Sequence, residues 1–227
     1  MSSPTPKAAI FDIGATLVTG PPVAPNKVIA GLMEGVSASD VASVIMTTEL
    51  TCADGVCKAL VTRFGPISAV ARVGVEILWE SQSTAAQALP GSTDTVLALK
   101  RLGLKIGLLS DIWNPYYASV EKALPEVVRA ADAIVLSCRT GARKPSPDNF
   151  LRVIDELDVS PCEAVMIGDT YAHDILPALA LGMRAVWVLT RPDREGESVT
   201  GVRNGDLPAP TATVSSITEI AALEIWR

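Results

Sequence analysis

Apolar positions along the chain follow two rhythms. Residues 8–13 form a short apolar run that carries Asp12 near its end and meets Gly14 and Thr16, which predicts a buried strand entering a tight loop. From residue 18 to about 90 the pattern changes. Gly20, Pro21, Pro22 and Pro25 break the chain, and apolar residues then recur at helical spacing over 26–34, 39–50 and 67–79. Ser39 and Asp40 supply helix-start chemistry, Pro66 suits a first turn, and Gly35 and Gly65 can end the helices before them.

Beyond Pro90 and Gly91 the rhythms alternate: helix 93–102, strand 104–109, helix 116–123, strand 133–137, helix 147–157, strand 164–167, helix 174–181, strand 185–189. The strand segments are continuous apolar runs, as a parallel sheet covered by helices on both faces requires. The tract 190–216, rich in Gly and Pro, reads as a long surface excursion before a final helix over 217–224. The expected fold is α/β: a doubly wound parallel sheet from 1–17 and 91–227, with an α-helical insertion over 18–90. In such open sheets ligands gather at the carboxyl ends of strands, and those ends carry Asp12, Ser110 with Asp111, and Asp169.

Composition narrows the picture. With 19 basic and 25 acidic residues the formal charge is −6, and the basic residues are scattered, so neither a nucleic acid nor an anionic membrane is the expected partner. No stretch reaches the ~20 apolar residues that span a bilayer. Residues 1–7 also lack a basic region followed by an apolar one, so the expected location is the cytoplasm. Cys52, Cys57, Cys138 and Cys162 show no paired spacing and sit among apolar neighbours, which predicts reduced core thiols.

By residue type alone the candidate chemistry stays open. Asp12 is either a loop cap or a nucleophile. Asp169 and Asp174, on either side of a Thr-Tyr-Ala-His turn, are either helix caps or hard-oxygen metal ligands. Ser110 is a turn residue or a holder of phosphoryl oxygen, and Lys144, kept extended by Pro145, is a solvated cation or a group that offsets developing charge. His173, the single histidine, is more readily structural than catalytic, although its place beside Asp174 keeps it a candidate.

Taken together, FDIGATL at 11–17, LLSD at 108–111, RKPSPDNF at 143–150 and IGDTYAHD at 167–174 resemble, in order and spacing, the four motifs of the haloacid dehalogenase superfamily. The resemblance implies a Rossmann-like core with a helical cap domain, and phosphoryl transfer through an aspartyl-phosphate on Asp12. It also implies substrate binding by Ser110, Asp111 and Lys144. Mg²⁺ would be held by Asp12, the Gly14 carbonyl and Asp169 or Asp174. The implied substrate is a small phosphorylated metabolite; apart from the resemblance, the expected assembly is a monomer or homodimer, the apolar helices of 26–79 either covering the site or serving a dimer contact.

The chain departs from the family pattern at one position. Phosphatases of the family carry a second Asp two residues after the nucleophile, as acid and base; here that residue is Gly14, and the family's following Gly is Ala15. Three readings follow: a phosphate-ester hydrolase with weakened acid/base catalysis, a phosphonatase-like C–P bond hydrolase using a cap lysine (Lys27 or Lys58), and a degenerate phosphate-ligand-binding protein.

Overall fold

Every residue of the first strand, β1 (Ala8–Phe11), is fully buried, because its two faces meet two different apolar layers. Ala9 and Phe11 join one hydrophobic cluster, Ala8 and Ile10 the other. The same alternation recurs in β2 (Lys105–Ser110), β3 (Ala133–Leu136), β4 (Ala164–Gly168) and β5 (Arg184–Val188). With the short β6 (Ala212–Val214) they make, among the described residues, one six-stranded parallel sheet in the order β3-β2-β1-β4-β5-β6. The strand order reverses between β1 and β4, the point at which such sheets open a crevice. This computed structural model describes residues 4–21 and 23–226; Met1 to Ser3 of the polar start, Pro22 of the breaking tract and Arg227 lie outside the described residues.

Among the described residues, the segment 18–90 holds four helices: α1 (Pro25–Gly31), α2 (Ala38–Ile45), α3 (Ala53–Phe64) and α4 (Ala69–Gln82). Helix α2 starts at Ala38, one residue before Ser39. Its cap is Ser37, whose hydroxyl accepts the Asp40 amide at 3.1 Å while Asp40 accepts the Ser37 amide at 3.3 Å, a reciprocal capping box. Helix α3 has no counterpart among the helical spans read from the pattern, although Gly65, at φ 89°, ends it as a glycine should. Val70, Val73 and Ile77 of α4 remain exposed.

The sheet's own helices are α5 (Ser92–Arg101), α6 (Asn114–Ala123), α7 (Pro125–Ala130), α8 (Ser137–Thr140), α9 (Pro147–Glu156) and α10 (Leu176–Ala180). One close approach fixes the packing of α9: a Cβ on Gly107 of β2 would meet Leu157, Val153 and Ile10 at 3.0 to 3.1 Å.

Three expectations need correction. The tract 190–216 is not an unstructured excursion, since it holds α11 (Gly196–Asn204) and edge strand β6. The final helix is a 3₁₀ segment, Ile217–Ala222, whose hydroxyl cap is Ser216. Of the four thiols, only Cys57 and Cys138 are buried; Cys52 and Cys162 are exposed, and all four are free. Among the described residues, no helix is long and apolar enough to cross a membrane.

Candidate active site

Strand ends bring the predicted carboxylates together. Asp12 follows β1, and its amide donates to the Ile167 carbonyl of β4 at 2.9 Å, which locks the two strand ends in step. Asp169 follows β4. Asp174 sits in a π-helical turn, Tyr171–Ile175, that precedes α10. Such turns widen the backbone ring and commonly mark functional positions. Gly168 makes room for it: a Cβ there would lie 2.4 to 2.5 Å from the Asp174 side-chain atoms Cγ, Cβ and Oδ2. One carboxyl oxygen from each of Asp12, Asp169 and Asp174 lies within 4.8 Å of the other two, all three side chains being buried.

Lys144 is the counter-charge. Its ammonium donates to Asp12 Oδ1 at 2.7 Å and to Asp174 Oδ1 at 2.5 Å. The Lys144–Pro145 peptide is cis, and the Lys144 amide donates to Asp111 Oδ1 at 3.0 Å. Asp111 therefore anchors the Lys144 loop, with Arg143 Nε 3.4 Å from its other oxygen. Ser110 donates its hydroxyl to Asp12 Oδ1 at 3.3 Å, and Thr16 donates to Asp12 Oδ2 at 3.4 Å. Asp174 Oδ2 accepts the Thr170 amide at 3.0 Å. Asp169 pairs with the guanidinium of Arg191, a residue that sequence reasoning left inside the surface tract.

The electrostatics follow from burial. Desolvation opposes the charge on Lys144, but the facing Asp12, Asp174 and Asp111 carboxylates outweigh it and raise its pKa. Burial pushes the Asp174 carboxyl up to about 7, Lys144 pulling it down and Asp12 pushing it up. Burial likewise pushes Asp169 up to about 6, aided by Asp12 and opposed by Arg191. Like charges about 4 Å apart repel by roughly 4 kcal/mol at an effective dielectric of about 20. Three hard carboxylate donors so close together fit one divalent cation, which would relieve that repulsion.

Above this cluster are two connected cavities. One, of about 160 Å³, is lined by the three carboxylates, Ser110 and Lys144. The other, of about 590 Å³, shares Gly14, Asp111, His173 and Arg191 with it and extends to Pro25 and Lys27 of α1, Met46, Gln82, Trp113, Tyr116 and Arg194. His173 is exposed at the junction. Lys58 is elsewhere, in an exposed pair with Asp54 at 2.7 Å. Trp113, Tyr116, Gln82 and Arg194 were missed by motif reading. Arg191 had a signal: it lies three residues past the end of β5, where the strand-end rule looks for function.

Comparison with known proteins agrees with the geometry. The family model described as haloacid dehalogenase-like hydrolase matches residues 6–182. A glyceraldehyde 3-phosphate phosphatase of Pyrococcus furiosus is 31% identical over 114 residues, 50% of this chain and 47% of that protein. The chain thus spans about half the length of the curated relatives it matches. Among solved structures, a phosphatase of Thermococcus onnurineus aligns with TM-score 0.56 at 22% identity, over 95% of this chain and 96% of that one. A 2-haloacid dehalogenase of Pseudomonas syringae aligns with TM-score 0.62 at 16% identity, over 96% and 97%. At those identities the two structures share the fold with this chain.

Proposed function

The chain belongs to the haloacid dehalogenase-like hydrolase family, and from that premise we propose that it takes the phosphoryl group from a small phosphorylated metabolite onto Asp12 and releases it to water. The observation that carries this reading is the Lys144 ammonium shared between Asp12 and Asp174, 2.7 and 2.5 Å away, beside Ser110 and a third carboxylate. A nucleophilic carboxylate at a strand end, a fixed cation and a hydroxyl at one cavity floor are the parts that phosphoryl transfer needs.

In the reaction, Asp12 attacks phosphorus while Lys144 offsets charge on the phosphoryl oxygens. Ser110 turns its hydroxyl from Asp12 to one of those oxygens. Asp111 keeps Lys144 in place through its backbone amide. Mg²⁺ would be held by Asp12, the Gly14 carbonyl, Asp169 and Asp174, and when bound would neutralise carboxylate and phosphoryl charge. Residues 18–90 would serve as the cap and 1–17 with 91–227 as the core, a division supported by the shared lining of the larger cavity by Lys27 and Gly14.

The test is phosphate release from an activated aryl phosphate with Mg²⁺, native chain against Asp12→Asn. The expected result is turnover that falls by about 10³-fold or more in the variant and disappears with chelator. Undiminished turnover in Asp12→Asn would sink the proposal. A folded native chain that binds phosphometabolites without releasing phosphate would make it a binding protein instead.

A further inference from the structure

The larger cavity is shaped by what Gly14 lacks. A Cβ built on Gly14 meets no heavy atom within 4 Å, so the space of a side chain is open there. No carboxylate stands at that position to protonate a departing alkoxide. The carboxylates at the cavity floor are committed elsewhere: Asp12 and Asp174 to Lys144, Asp169 to Arg191, Asp111 to the Lys144 loop.

Cations, by contrast, face the same space from two distant segments. Lys27 comes from α1, and Arg191 and Arg194 from the segment just past β5. Arg191 is drawn to Asp169. Lys27 and Arg194 enter no ion pair or side-chain hydrogen bond among the described residues, in a chain whose formal charge is −6. Gln82, only 4% exposed, accepts from the Trp113 indole at 3.4 Å and leaves its amide nitrogen without a protein partner among the described residues. The side of the cavity between Gly14, Lys27, Gln82 and Arg194 thus offers, among the described residues, no uncommitted carboxylate, a further ionisable neighbour being the exposed imidazole of His173 at the junction with the floor, and it is supplied with positive charge and a spare donor.

We propose that the leaving group departs as a stable oxyanion, a carboxylate or a phosphate, so that the substrates are carboxylic–phosphoric anhydrides or diphosphates rather than alkyl phosphates. The proposal rests on the phosphoryl-transfer reading above and narrows it. An Asp12 carboxylate oxygen forms a bond to phosphorus. The bond from phosphorus to the bridging oxygen breaks, and its electron pair leaves with that oxygen. An alkoxide leaving in this way needs a proton; a carboxylate or phosphate does not. Lys27 and Arg194 hold the departing anion. Water then adds to phosphorus, the phosphorus–Asp12 oxygen bond breaks, and one proton passes to solvent, restoring the Asp12 carboxylate and releasing inorganic phosphate.

The experiment compares kcat/KM for acetyl phosphate, pyrophosphate, glycerol 1-phosphate and 4-nitrophenyl phosphate. The proteins are the native chain, Gly14→Asp and the double variant Lys27→Ala, Arg194→Ala. Because the anhydrides are intrinsically more reactive, the decisive quantity is how each substitution moves the ratios between substrates. Gly14→Asp should shrink the anhydride-to-glycerol-phosphate ratio by about 10²-fold, by restoring an acid only the alkoxide needs. The double variant should lose about tenfold on both anhydrides, and less on the aryl phosphate, whose departing charge spreads into its ring. Whichever of acetyl phosphate and pyrophosphate is the better substrate identifies the anion's source. Native turnover of glycerol 1-phosphate equal to that of the anhydrides, or a double variant that hydrolyses anhydrides like the native chain, would overturn the proposal and leave phosphoryl transfer standing. Failure of all four substrates, the aryl phosphate included, would overturn both.

Discussion

The floor of the site and its upper wall are built on opposite rules. On the floor, Asp12, Lys144 and Asp174 are almost wholly buried and joined by short hydrogen bonds, Asp12 held at the end of β1, Asp174 in the turn before α10 and Lys144 on a loop anchored by Asp111. On the wall, Lys27 and Arg194 are exposed, sit on a short helix and a loop, and have no fixed partner among the described residues. Buried charges are tolerable only in company, so the floor is a unit whose parts cannot be removed singly. The wall is a set of independent groups in a high-dielectric rim, free to be spent on a ligand.

Removing Lys144 is the severest way to break that contrast. In metal-free buffer Lys144→Met should cost about 3 to 5 kcal/mol, because it leaves facing carboxylates buried without a counter-charge. For a chain of this size that is a fall in Tm of roughly 10 °C. An unchanged Tm would mean that the carboxylates simply take up protons, and that the floor is no unit. Gly168→Ala comes next. Its methyl would need the place of the Asp174 carboxylate, so about 1 to 3 kcal/mol of stability should go, together with divalent-cation affinity measured by titration. Retained affinity would show that the turn adjusts around the methyl group. Smallest of all, Lys27→Ala with Arg194→Ala should shift unfolding by no more than about 0.5 kcal/mol. A larger shift would place the wall's cations in the framework after all.

The same contrast decides what was legible in the sequence. Strands β1, β2, β4 and β5 were readable because both their faces are apolar, so each appears as an unbroken run. Asp12, Ser110 and Asp169 were readable because they stand at the ends of those runs, whereas Lys144 and Asp174 were legible only through the motifs at 143–150 and 167–174. The structure does bring all five together. Asp111 was expected to touch substrate; the structure shows it anchoring the Lys144 loop while it also lines the cavity. Strand β6, three residues on a sheet edge with Thr213 exposed, carries too little apolar pattern to stand out from a loop. Helix α11 has no buried residue at all, and without a buried stripe helical periodicity has nothing to register. Arg194 and Gln82 reach the cavity only through the path of the chain, which residue type and spacing do not encode.

Gly168 carries a last consequence. It offers no atom to the reaction and no charge to the cluster, yet the carboxylate of Asp174 occupies the volume where its side chain would be. The alphabet of tolerated residues at that position is therefore expected to narrow to a single letter, set by the crowding of a neighbouring side chain and not by any chemistry of its own. A saturation scan scored on activity would rank this silent glycine with the acids it accommodates, and Gly14, with open space around it, among the positions freest to acquire something new.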